Sequence, residues 1–72
     1  MNLNYFSDTD TLYIDLSSKS SVESKEISEG VVLDYDAEGN LAGIDIDNAS
    51  KKLNITEINL NKLPISKESI KA

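Results

Sequence analysis

Residues 30–53, Gly-Val-Val-Leu-Asp-Tyr-Asp-Ala-Glu-Gly-Asn-Leu-Ala-Gly-Ile-Asp-Ile-Asp-Asn-Ala-Ser-Lys-Lys-Leu, decide the fold. Val31, Leu33 and Tyr35 share one face of a five-residue run, the period-two pattern of a half-buried strand. Asp36-Ala37-Glu38-Gly39-Asn40 is a turn, because Asp and Asn bond their own backbone and Gly39 can take a positive φ. Leu41 to Asp47 returns as a strand, with Ala42, Ile44 and Ile46 on one face and Gly43, Asp45 and Asp47 on the other. Glycine in mid-strand predicts a bulge or the close approach of another element. The period then changes. Asp47 and Asn48 are good N-caps, Ala49 to Leu53 reads as a helical turn or two, and Asn54 fits as the C-cap.

On the N-terminal side, Thr11 to Leu16 alternates cleanly, with Leu12, Ile14 and Leu16 opposite Thr11, Tyr13 and Asp15. Leu3 to Phe6 is a brief apolar strand, joined to it by the turn cluster Ser7-Asp8-Thr9-Asp10. The serine-rich stretch Ser17 to Ser21 is a loop. Val22 to Ile27 is charged and poorly apolar, which suits a sheet edge. After Asn54 the pattern is ambiguous: Ala49, Leu53, Leu60 and Leu63 fit a helical stripe, whereas Ile55, Ile58 and Leu60 among asparagines fit a strand or an irregular arm. Pro64 ends that segment. The fold expected is α+β: an antiparallel β-meander of four to five short strands followed by a short C-terminal helical segment. Residues 1–63 form one domain and 64–72 a frayed tail. Connections this short do not cross over into parallel strands.

The chain has 72 residues, with 13 acidic and 7 basic side chains and a net charge of −6; cysteine, histidine and tryptophan are absent and every cation is lysine. One small domain is all this length allows, and it buries only about 60% of its unfolded surface. With no disulfide to help, self-association or a partner is expected to complete the core. Zinc fingers, thiol catalysis and serine–histidine triads are excluded. The acidic balance and missing arginine argue against nucleic acid. No apolar run is long enough for a membrane span, and the first residues show no basic-then-apolar signal, so a cytoplasmic location is expected.

The order Tyr5-Phe6, Asp10-Thr11-Leu12-Tyr13-Ile14, Gly30 to Asp36, Gly39 to Ile46 and Asn48 to Leu53 resembles the small bacterial and archaeal family catalogued as domain of unknown function 2283. The resemblance covers about residues 4 to 54, and no motif in it is catalytic. It departs in the first turn, Ser7 to Thr9, where the family usually has proline or an acid, and in lysines where the family has arginines. The family has no established activity. Its members look like short α+β domains beside small toxin-like proteins, so the resemblance implies an antitoxin-like role.

Four groups of residues carry candidate chemistry. Asp34, Asp36 and Glu38 before Gly39 have the D-x-D-x-E-G form that opens an oxygen-rich calcium loop, and Asp45 falls at its twelfth position. The flanks are strand-like, and the competing reading is a hairpin turn. Asp8 and Asp10 form a second acidic pair, able to meet Asp34 and Asp36 as a cation site or an acid–base pair of the glycosidase type if the hairpin ends lie together, against the bland reading of solvated turn aspartates. Glu23, Glu26 and Glu29 read as solvent-facing on the edge strand and its loop, with an acidic patch that steers a basic partner as the functional alternative. Tyr13 lies opposite the apolar row of its strand, either packed over neighbouring strand residues or reaching outward. The function expected is a non-enzymatic protein-interaction module without cofactor, a homodimer and partner of a small basic protein, with Tyr13, Ile55, Ile58 and Leu60 as contact residues. Calcium binding at the acidic turn is the alternative.

Overall fold

The computed structural model describes residues 1–62; the expected tail over 64–72 lies outside the described residues. The chain forms β1 (Asn2–Phe6), β2 (Thr11–Asp15), β3 (Glu23–Ser28), β4 (Val31–Tyr35), β5 (Leu41–Asp47) and one short helix, α1 (Ala49–Lys52). The strands make one antiparallel sheet in the order β1-β2-β5-β4-β3. A five-stranded antiparallel sheet with a short helix after it is thus what the period-two runs predict. The sequential strand order of the expected meander is corrected by the structure. After β2 the chain passes β5 and β4 and enters the sheet again at the far edge.

The order has a physical reason. A meander would place β3, exposed along its whole length, between β2 and β4. The observed order puts the charged strand at the edge, where charges discourage pairing with another chain. It gives the centre to β5, whose Ile44 and Ile46 meet Ile14 and Leu12 on one side and Leu33 and Val31 on the other. Residues 16–22 cross along the end of the sheet that carries the β4–β5 turn. They are held there by Leu16 N–H donating to Ala42 O and Val22 N–H donating to Tyr35 O, both 2.8 Å, and by an ion pair between Lys19 and Glu38.

Register sorts the side chains onto two faces. The rows Leu3–Ile14–Ile44–Leu33 and Tyr5–Leu12–Ile46–Val31 run unbroken across four strands. The opposite face carries Asn4–Tyr13–Asp45–Val32–Glu26 and Asn2–Asp15–Gly43–Asp34–Ser24. Ala42 and Ala49 are the buried hydrophobic residues among those described, and no large side chain is fully enclosed.

The helix is capped from a distance. Asn48 holds the N-cap position in a left-handed conformation (φ 53°) and makes no side-chain cap. Instead Asp10, itself at φ 53°, accepts from Ala49 N–H through its carbonyl (2.9 Å) and from Ser50 N–H through Oδ1 (3.1 Å), while Ser50 Oγ–H donates to Oδ2 (2.7 Å). This corrects the local cap expected at Asp47 or Asn48. Leu53, extended, is the C-cap in place of Asn54. Tyr5 O–H also donates to Asp10, at 2.7 Å. That bond, and then those from Ser50, hold the Asp10 carboxyl below its ordinary range. A lowered carboxyl contributes stability that is present above its unfolded pKa of 3.8 and lost as pH falls through the folded value. Asp10→Asn is therefore expected to lower Tm at neutral pH and to flatten the acid limb of the stability curve, as measured by thermal melts from neutral pH downward.

Candidate functional site

The polar face of the sheet concentrates carboxylates. Asp15 comes from β2, Glu26 from β3, Asp34 from β4, and Asp45 and Asp47 from β5. No strand residue on this face is a lysine; Lys25 alternates onto the other. The centre of the array is Tyr13, half-buried, whose hydroxyl donates to Asp34 Oδ2 at 2.9 Å. Ser24 Oγ–H donates to Asp34 Oδ1 at 2.6 Å.

The Tyr13 ring lies over Gly43. A Cβ at Gly43 would stand 2.7 Å from Tyr13 Cζ and 3.3 Å from Ile14 O, so only glycine leaves room for the ring. The register shifts at the same place: Asp34 pairs with Gly43 but Tyr35 with Leu41, leaving Ala42 as the extra residue. The bulge and the close approach expected at Gly43 are both present.

Electrostatics follow from this packing. The hydrogen bond to Asp34, then partial burial and the charges of Asp34, Asp15 and Asp45, push the Tyr13 phenol above its ordinary value of 10.0. Asp45 is pushed above 3.8, first by burial, then by a hydrogen bond and charge repulsion with Asp47, then by the charge of Asp34. A carboxyl raised on folding costs stability once it ionises. Asp45→Asn is expected to raise Tm at neutral pH, with the gain shrinking as pH falls through the raised folded value and gone below the ordinary 3.8.

The expected contact residues are distributed between two places. Tyr13 is in this array. Ile55, half-buried, and Ile58 and Leu60, 58% and 48% exposed, belong to the segment after α1. The calcium-loop residues are committed elsewhere in part. Asp36, only 6% exposed, accepts from Glu38 N–H and Asn40 N–H through Oδ1, each at 2.9 Å, and Glu38 pairs with Lys19. Among the described residues no group of three or more acidic side chains is placed to hold a metal ion.

Asp8 and Asp10 do not meet Asp36. The β1–β2 turn lies at the end of the sheet where Thr11 pairs with Asp47, and the β4–β5 turn lies at the other end, beyond Asp15 and Gly43. Antiparallel register separates the two turns by the length of the strands, so the acid–base pair does not form. Glu23 and Glu26 are on the exposed edge strand, with Glu29 in the turn after it, as the charge pattern predicts. What the spacing of acids missed was the array itself. Each carboxylate shows as polar-facing within its own strand, but Asp15 and Tyr13 reach Asp45 only because β2 adjoins β5.

The profile of the family described as "Protein of unknown function (DUF2283)" matches residues 2–50, which takes in all five strands and the start of α1. No curated protein and no solved structure matches the chain. Among the described residues no helix is long and apolar enough to cross a membrane.

Proposed function

The chain belongs to the DUF2283 family of unknown function, and from that premise we propose a non-enzymatic, cytoplasmic interaction module that binds a small basic protein, as an antitoxin binds its toxin. The observation that carries the reading is the carboxylate array around Tyr13, in which Asp45 is held at a cost to the fold. Burial first, and then the neighbouring charges of Asp47 and Asp34, make that carboxylate costly to ionise. A lysine or arginine from a partner relieves that cost, so part of the binding energy comes from the array itself. Five carboxylates on one face, with Lys51 and Lys52 beside only Glu26 and Asp47, also steer a basic protein toward it.

The test is a titration of the 13C-labelled chain with decalysine. The carboxyl resonances of Asp34, Asp45 and Asp47 are expected to shift, the Asp45 pKa to fall on binding, and the affinity to weaken as salt rises. The double variant Asp34→Asn, Asp45→Asn is expected to weaken binding at least tenfold, about 1.4 kcal/mol. Binding that leaves these carboxyls unmoved, or none at all, would sink the reading.

A further inference from the structure

We propose that the apolar face of the sheet is the interface with a second copy of this chain, two sheets packing face to face. This goes beyond the reading above, which concerns the opposite face. The motivating fact is that the described residues do not fully enclose this face. Leu12, Ile14, Ile44 and Ile46 stand at its centre, all only half-buried, and no large side chain among the described residues is fully enclosed.

The size of the face fits a second copy. Five strands at about 4.8 Å and five residues at about 3.4 Å give a footprint of about 400 Å². Side-chain relief raises the accessible area of such a face toward the ~800 Å² per partner of a standard interface. Sheets that meet this way pack about 10 Å apart with their inner side chains interdigitated.

Charge selects the face and the occupant. A chain of net charge −6 pairs with itself only where its carboxylates stay apart. On β1, β2, β4 and β5 the apolar rows carry no acid, and the edge strand adds one of each sign, Glu23 and Lys25. A two-fold axis through this patch apposes apolar rows with apolar rows. The polar face would set five carboxylates against five. A basic protein finds no net charge on the apolar face to neutralise, Glu23 being offset by Lys25, so the two surfaces serve different partners.

The experiment uses the full chain. Sedimentation and light scattering from micromolar to millimolar concentration are expected to show a species of twice the 7.9 kDa chain mass. A mixed sample of methyl-labelled and unlabelled protein is expected to give intermolecular NOEs at Leu12, Ile14, Ile44 and Ile46. Leu3→Lys, at the rim on β1, is expected to move the dimerisation midpoint about tenfold higher in concentration, and Ile44→Lys to abolish the dimer. If Ile44→Lys fails to fold, the NOEs of the unmutated chain and the Leu3→Lys shift still decide. A monomer at every concentration overturns the proposal. So do intermolecular NOEs from Tyr13, or apolar-face NOEs arising within one chain from residues 63–72. None of these results bears on the basic-partner titration, which reads the other face.

Discussion

Replacing Gly43 by alanine is expected to destabilise the fold by about 1–3 kcal/mol, the usual cost of forcing a methyl group into filled space. In a domain of this size that is a Tm loss on the order of 5–20 °C. Gly43 is buried between Asp15 and Asp34 on the polar face, and the Tyr13 ring covers it. The ring has two torsions and is anchored at its tip by the 2.9 Å bond to Asp34. Making room for a Cβ means swinging the ring away and breaking that charge-assisted bond, while Ile14 O closes the other side at 3.3 Å. The unfolded-state gain from glycine to alanine, about 0.4–1 kcal/mol, offsets only part of the loss. A double-mutant cycle checks the cause. In a Tyr13→Ala background the Gly43→Ala penalty should vanish or reverse, since the methyl then fills the space the ring left. A penalty that survives the removal of Tyr13 would place the strain in the backbone and not in the ring.

This pair shows where sequence reading stops. Glycine in the middle of an alternating strand is enough to say that something approaches it; it does not say what. Val31–Tyr35 and Leu41–Asp47 fall on β4 and β5 because alternation and the turn between them are local. The strand order is not local. Leu12 and Ile14 carry no mark telling β2 to pair with β5 and leave β3, and the decision comes from the summed burial of five strands. Asp10 likewise looks like an ordinary turn aspartate. Its task as the cap of a helix forty residues later depends on the β1–β2 turn and the end of β5 sharing one end of the sheet. The candidate site lies between these cases. Its acids are legible strand by strand, and their convergence on Tyr13 follows only from the order. The segment holding Ile55, Ile58 and Leu60 forms neither helix nor strand, and Ile58 and Leu60 are exposed, so no alternation was there to read.

Asp36→Ala is expected to cost about 2–4 kcal/mol, from two backbone N–H groups left without an acceptor at roughly 1–2 kcal/mol each. The residue is 6% exposed, and Oδ1 alone takes Glu38 N–H and Asn40 N–H. Water reaches the vacated site poorly, so neither donor is readily compensated. The backbone part of the turn, Asp36 N–H to Asn40 O at 2.8 Å and Gly39 N–H to Asp36 O at 3.1 Å, survives the substitution, with Gly39 at φ 83° supplying the reversal. Loss of the side-chain part alone should therefore weaken the hairpin without abolishing it. Asp36→Asn keeps an acceptor oxygen in place and should recover more than half of the loss. Glu38→Ala removes only an ion pair whose side chains are 58% and 64% exposed, which is worth under about 1 kcal/mol, and serves as the control. Denaturant melts of the three variants at one protein concentration make the comparison. The ranking expected is Asp36→Ala well below Asp36→Asn, with Glu38→Ala near the unmutated chain. The turn also fixes the register shift at Ala42, and that shift sets Gly43 against Asp34. Asp36→Ala should accordingly loosen the Tyr13–Asp34 contact at a distance, seen as a fall in the Tyr13 pKa toward 10.0. A destabilised variant in which that titration is unchanged would show that the bulge is held by the sheet alone, and that the acidic face is organised independently of the turn beside it.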